Sequence, residues 1–161
     1  MNKNIILCGV GGQGTVLASR LISAAAMAKG IPVLSAETIG MAQRGGSVFS
    51  HIRLGEGIYS PMIARGEADL IIGFEPGEAV RLLPFLKPGG SMIVSDRAVM
   101  PVTASLTGTD YRASDMLDFL SARVPDLRIV PAERAMQSVL NGLRKIKTNP
   151  AFLLSLDLKN L

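Results

Sequence analysis

The sequence predicts an α/β domain, Rossmann-like in its three layers, with a mostly parallel sheet and an inserted β-hairpin. Three observations carry that prediction. The chain opens with a strand, a glycine turn, a helix and a second strand, in about the 30 residues that a βαβ unit needs. Short apolar runs then alternate with helical patterns almost to the end. With 161 residues, 48% of them hydrophobic and 19% charged, the chain can close one core without disulfides or metals. A single domain over residues 1–161 is the expectation.

The elements follow in order. Asn4 to Cys8 is short and apolar, as a strand buried on both faces is. Thr15 to Lys29 is rich in Ala and Leu and free of proline, which predicts a helix that Gly30 stops. Ile31 to Ser35 is the second strand, reached by a right-handed crossover. Val48 to Arg53 alternates, and Gly55-Glu56-Gly57 turns it toward Ile58-Tyr59, which predicts the hairpin. Asp69 to Phe74 is another buried strand, and Glu75 to Leu86 a helix closed by Lys87-Pro88-Gly89-Gly90. Ser91 to Ser95 is a core strand, and residues 97–110 a loop with a short strand near Val102. Ala113 to Arg123 is a helix with Ser114 as its N-cap. Leu127 to Val130 is the last strand and Ala132 to Lys147 the last helix. The apolar tail after Pro150 should dock on something.

Composition narrows the function classes. Tryptophan is absent and aromatics are 4%, so the core is built from Ile, Leu, Val, Ala and Met. The net charge of +4 comes from scattered lysines and arginines. No basic stripe interleaves with aromatics, which argues against nucleic acid as a partner. One cysteine, Cys8, excludes an internal disulfide and any Cys-rich cluster held by this sequence. Its place at the end of an apolar run reads as a small buried thiol. Nothing reads as a signal segment, and no run reaches the roughly 18 apolar residues of a membrane span, so a cytoplasmic location is expected.

The most telling feature is the glycine loop Gly9-Val10-Gly11-Gly12-Gln13-Gly14. Glycine loses more backbone freedom on ordering than any other residue, so such density signals a need for bare backbone. A tight strand-to-helix turn is one use; amides left open to an anion at a helix N-terminus are another. The spacing matches the dinucleotide fingerprint, and Glu37 follows near the end of the second strand, where a ribose-binding carboxylate would sit. A stand-alone NAD(P)- or flavin-binding oxidoreductase or sensor is therefore one reading. Against it, little chain remains for a catalytic region. His51 is the sole histidine and reads as structural, without metal-ligand companions. Asp69 and Asp96 read as caps of strand ends or turns. No catalytic residue and no metal site is assigned.

A second segment, Gly40-Met41-Ala42-Gln43-Arg44-Gly45-Gly46-Ser47, again places glycines on irregular chain, now around an arginine. It is either a flexible hairpin entrance with Arg44 in solvent, or backbone amides and Arg44 beside an anion or a partner's backbone. Following the second strand, it falls at the same sheet edge as the first loop, which suggests one composite surface.

Together these segments carry a resemblance. GVGGQG with its Ala-rich helix, ETIGMAQRGGSVFSHIRLGEGIYSPMI, and GEADLIIGFEPGEAVRLLPFLKPGG resemble the gamma-type domain of 2-oxoacid:ferredoxin oxidoreductases. The MAQRGGSV-S-H-R wording is typical of the indolepyruvate:ferredoxin oxidoreductase beta subunit. The resemblance covers roughly residues 3–96, and the C-terminal third departs from it. It implies a non-catalytic subunit that shapes a cleft beside a large subunit. That partner would bind thiamine diphosphate, carry the iron–sulfur clusters and pass electrons to ferredoxin as a 2-oxoacid becomes an acyl-CoA. It further implies that Gly9, Gly11, Gly12, Gln13 and Gly14 face the large subunit and coenzyme A, with Arg44, Gly45 and Gly46 flanking the same cleft. No cofactor would be held tightly by this chain. Without its partner, a surface of this kind can self-associate.

Overall fold

The computed structural model describes residues 2–39, 46–100 and 110–148. The chain divides into two units, Met1–Val130 and Pro131–Leu161, taken here one at a time.

Among its described residues the first unit holds six strands: β1 (Lys3–Val10), β2 (Val33–Ile39), β3 (Ser47–Leu54), β4 (Ala68–Gly73), β5 (Leu86–Ser95) and β6 (Asp126–Val130). They form one sheet in the order β2-β3-β1-β4-β5-β6. The sheet is mixed. It runs parallel across β1, β4, β5 and β6, and antiparallel on both sides of β3. The fold is α/β and broadly Rossmann-like.

The structure corrects the expected hairpin. Ile58-Tyr59 forms no strand. Both edges of β3 are already occupied, by β1 from Lys3↔Leu54 to Val10↔Ser47 and by β2 from Val33↔Leu54 to Ile39↔Val48. The segment after Gly57 is instead held across the end of β3. Arg53 donates from Nη1 to the carbonyls of Ser60 at 3.2 Å and Met62 at 3.3 Å.

Among the described residues, helices α1 (Thr15–Ala28), α2 (Pro76–Leu82) and α3 (Ala113–Ser121) flank this sheet. Residues alternate between faces along each strand. Ile6 and Cys8 of β1, Ile71 of β4, and Met92 and Val94 of β5 share one face with Ala79 and Leu82 of α2 and Leu120 of α3. Each large side chain buried there contributes about 1.5–3 kcal/mol. Leu7 faces the other way, in register with Ser50 and, through it, Glu37, which Ser19 of α1 contacts. The helices thus lie on both faces, as right-handed crossovers in opposite directions demand.

Local chemistry explains the boundaries. The helix expected to reach Leu86 ends at Leu82 and tightens into a 3-10 turn at Leu83–Phe85, because Pro84 has no amide hydrogen to donate. Leu86 then enters β5. Arg112, not Ser114, is the N-cap of α3, and no side chain caps it; Ser114 Oγ donates to Asp115. At the N-terminal edge of the parallel strands Asp69 accepts from the Asn4 amide at 2.7 Å and pairs with Lys87 and Lys3. The expected strand near Val102 and the tail after Pro150 lie outside the described residues.

The second unit contains α4 (Ala132–Thr148). Among the described residues, no helix is long and apolar enough to cross a membrane.

Candidate functional site

β1 and β4 are neighbours whose chains leave in opposite directions, β1 through α1 toward β2 and β4 through α2 toward β5. Such a divergence opens a crevice beyond the carboxyl ends of the strands, the usual ligand position in sheets of this type. The glycine loop is one wall and Phe74-Glu75 the other.

Gln13 joins the walls. Its Oε1 accepts from the Val10 amide at 2.9 Å, and its Nε2 donates to the Phe74 carbonyl at 3.1 Å. The Phe74 amide in turn donates to the Cys8 carbonyl at 2.8 Å. This explains the first glycine. A Cβ on Gly9 would stand 2.7 Å from Gln13 Oε1 and 3.0 Å from both Phe74 Cβ and Thr15 Oγ1. Gly12 and Gly14 have other reasons: their φ angles are +98° and +83°, where a side chain is strained.

The first glycine loop meets the end of the second segment. The Gly11 amide donates to the Gly46 carbonyl at 2.9 Å, so the residue before β3 lies against the first loop. Gly9, Gly11, Gly12, Gln13, Gly14 and Gly46 are therefore gathered at one sheet edge; Arg44 and Gly45 lie outside the described residues.

The start of α1 is electrostatically open. Its N-cap is Gly14, no side chain caps it, and its first turn has no acidic residue. The leading amides of a helix have no partner within it and carry partial positive charge. Thr15, 3% exposed, has a buried hydroxyl with no hydrogen-bond partner among the described residues.

Behind the crevice lies a buried acidic cluster that the sequence reading missed. Glu75 caps α2 by accepting from the Glu78 amide at 2.8 Å, and it also accepts from Tyr111 Oη at 2.9 Å and the Val99 amide at 3.3 Å. Glu78 accepts from Ser47 Oγ at 2.6 Å, with Arg81 Nη2 at 3.5 Å. Burial raises the Tyr111 phenol pKa, and its bond to Glu75 raises it further, so the proton stays on oxygen and is donated. The one available signal was Glu75-Pro76-Gly77-Glu78, an acid, a proline and a second acid spaced to begin a helix.

The remaining candidates are engaged elsewhere. Burial, and then the charges of Glu78 and Glu75, push the Cys8 pKa far up, leaving a protonated, unreactive thiol. His51 is 1% exposed, between Phe49 and Phe85, and its Nδ1 accepts from the Ile63 amide at 3.2 Å. Glu37 accepts from Ser19 Oγ at 3.3 Å and lies 3.7 Å from Arg20 Nε. No group of three His, Cys, Asp or Glu suited to a metal ion occurs among the described residues.

Comparison with known proteins gives the same outline. The family model described as pyruvate ferredoxin/flavodoxin oxidoreductase matches residues 4–151. The indolepyruvate oxidoreductase subunit IorB of Methanothermobacter thermautotrophicus is 42% identical over 134 residues, 83% of this chain and 68% of that protein. Its namesake in Thermococcus kodakarensis is 42% identical over 112 residues, 70% of this chain and 55% of that one. The chain thus spans between about half and two thirds of the length of these relatives. Two solved structures share the fold. The keto/oxoacid ferredoxin oxidoreductase gamma subunit of Geobacter sulfurreducens has a TM-score of 0.51 and 24% identity over 62% of this chain and 53% of its own. The 2-oxoglutarate:ferredoxin oxidoreductase of Magnetococcus marinus, with 2-oxoglutarate, coenzyme A and succinyl-CoA bound, has a TM-score of 0.52 and 22% identity over 58% of this chain and 16% of its own.

Proposed function

Because the chain belongs to the pyruvate ferredoxin/flavodoxin oxidoreductase family, we propose that it is a non-catalytic subunit of a cytoplasmic 2-oxoacid:ferredoxin oxidoreductase of the indolepyruvate, or aryl-pyruvate, type. It spans residues 1–161 as one gamma-type domain. A large partner subunit supplies thiamine diphosphate and the iron–sulfur clusters and passes electrons to ferredoxin. The sole cysteine of this chain is buried and protonated, chemistry that suits packing and not cluster ligation.

The observation that supports the reading is the bond from the Gly11 amide to the Gly46 carbonyl, which holds the end of the second glycine segment against the first loop, beside the open start of α1. The anion proposed for that surface is coenzyme A, through its phosphates. Gly12 and Gly14 keep bulk away, and the leading α1 amides are donors of the right chemistry. Arg44, Gly45 and Gly46 would flank the phosphates. Coenzyme A would supply the thiol that accepts the acyl group; this chain would bind and orient it.

Co-expression with a thiamine-diphosphate, iron–sulfur subunit encoded beside it tests the reading. A stable complex with 2-oxoacid- and CoA-dependent dye reduction is the expected result. No complex and no such activity would refute it.

A further inference from the structure

The helix α1 is built inside out. It buries Thr15, Ser19, Ser23 and Ala26 against the sheet, at 3%, 1%, 9% and 7% exposure. Its leucines point the other way: Leu17 and Leu21 are each 62% exposed. Ala24 and Ala28 are exposed with them. At about 100° per residue, positions 17, 21, 24 and 28 form one stripe directly opposite the buried positions. Two of the buried hydroxyls, of Thr15 and Ser23, have no partner among the described residues. A helix serving only its own sheet would turn its leucines inward and its serines out.

From this arrangement, and resting on the complex proposed above, we infer that the outer face of α1 is a docking surface for the large subunit, which covers it with an apolar helix or shallow groove rimmed by carboxylates. Charge selects that chemistry. Arg20, 73% exposed in its side chain although 3.7 Å from Glu37, borders the stripe, the exposed Lys29 follows the end of the helix, and α1 itself contains no acidic residue. A second copy of this face would instead bring like charges together. The Leu17–Leu21 half is a knob and the Ala24–Ala28 half a shallow seat, which lets a partner helix approach closely. The surface is also continuous with the proposed cleft. Gly14 is the N-cap of α1, so a subunit facing the glycine loop meets Leu17 within one turn.

The test is association of the co-expressed large subunit with wild type, with Leu17→Glu/Leu21→Glu, and with Arg20→Glu, alongside the urea midpoint of each chain alone. Because both leucines are exposed, the double variant should keep its urea midpoint while its affinity falls about a hundredfold. Arg20→Glu should bind about tenfold more weakly at low salt, with the deficit shrinking as salt rises. Wild-type affinity in the double variant overturns the surface while leaving the complex intact. If wild type itself fails to bind, the functional reading falls, and this inference with it. Loss of self-association or of vesicle binding by the double variant, with the large subunit still bound normally, would assign the face to a second copy or a membrane and overturn the inference.

Discussion

Gln13 and Phe74 are 61 residues apart in sequence, yet one hydrogen bond, Gln13 Nε2 to the Phe74 carbonyl at 3.1 Å, ties the loop after β1 to the loop after β4. With the Val10 amide on Gln13 Oε1, the side chain spans the floor of the crevice. The glycine loop is thus a braced structure and an open one at once: Gln13 fixes its base, and the amides beyond it stay uncapped.

Gln13→Ala should therefore destabilise the fold by about 1–3 kcal/mol, since it leaves a part-buried amide and carbonyl without partners. Urea unfolding measures the loss. Gly9→Ala should cost a similar amount by a different route, because its Cβ would collide with Gln13 and Phe74.

Glu75 ties α2 to Val99 and Tyr111. Glu75→Ala removes the helix cap and orphans one buried and two part-buried donors, so a loss of about 3 kcal/mol is expected. Tyr111→Phe removes one of those bonds and should cost about 1 kcal/mol. The comparison of urea midpoints checks the order.

His51 should titrate below an ordinary histidine, because burial disfavours its charged ring. The unfolded chain then takes up the proton first as pH falls. The stability from the neutral ring is whole above about pH 6.5 and is lost as pH drops toward the lowered native value. As His51 is the only histidine, its NMR ring resonances report the titration without ambiguity. A midpoint at or above 6.5 would contradict the buried placement.

Asp69 acts further down the scale. Burial alone would raise its pKa, but the bonds from Lys87 and the Asn4 amide, with the Lys87 and Lys3 charges, outweigh it and hold the carboxyl below the usual value. Its contribution is present above about pH 4 and disappears as pH falls through the lowered native pKa. Asp69→Asn should flatten the acid limb of a stability–pH curve.

Local chemistry was the legible part of this chain. β1, the glycine turn and α1 follow from adjacent residues, as does the burial of Cys8. The position of β3 was not legible, because its insertion between β1 and β2 depends on strand pairing and not on its own alternation. Glu75 and Glu78 were read only as the start of a helix; their burial depends on Ser47 and Tyr111, which the fold brings in from other elements. The inverted α1 was hidden for a related reason. An Ala-rich helix reads as close-packed, and the face that meets the sheet is the one carrying Ser19, which reaches Glu37 on β2.

The central claim is that the glycine surface presents coenzyme A to chemistry performed by another chain. The most direct measurement is a coenzyme A titration of 2-oxoacid-dependent dye reduction in the reconstituted complex, comparing wild type with Gly12→Ala. Gly12 has open space around it but φ +98°, so a methyl group there disturbs the amides without filling the core. A KM for coenzyme A raised about tenfold at nearly unchanged kcat is expected. An unchanged KM in an otherwise weakened complex would contradict it and reduce both glycine segments to turns and docking.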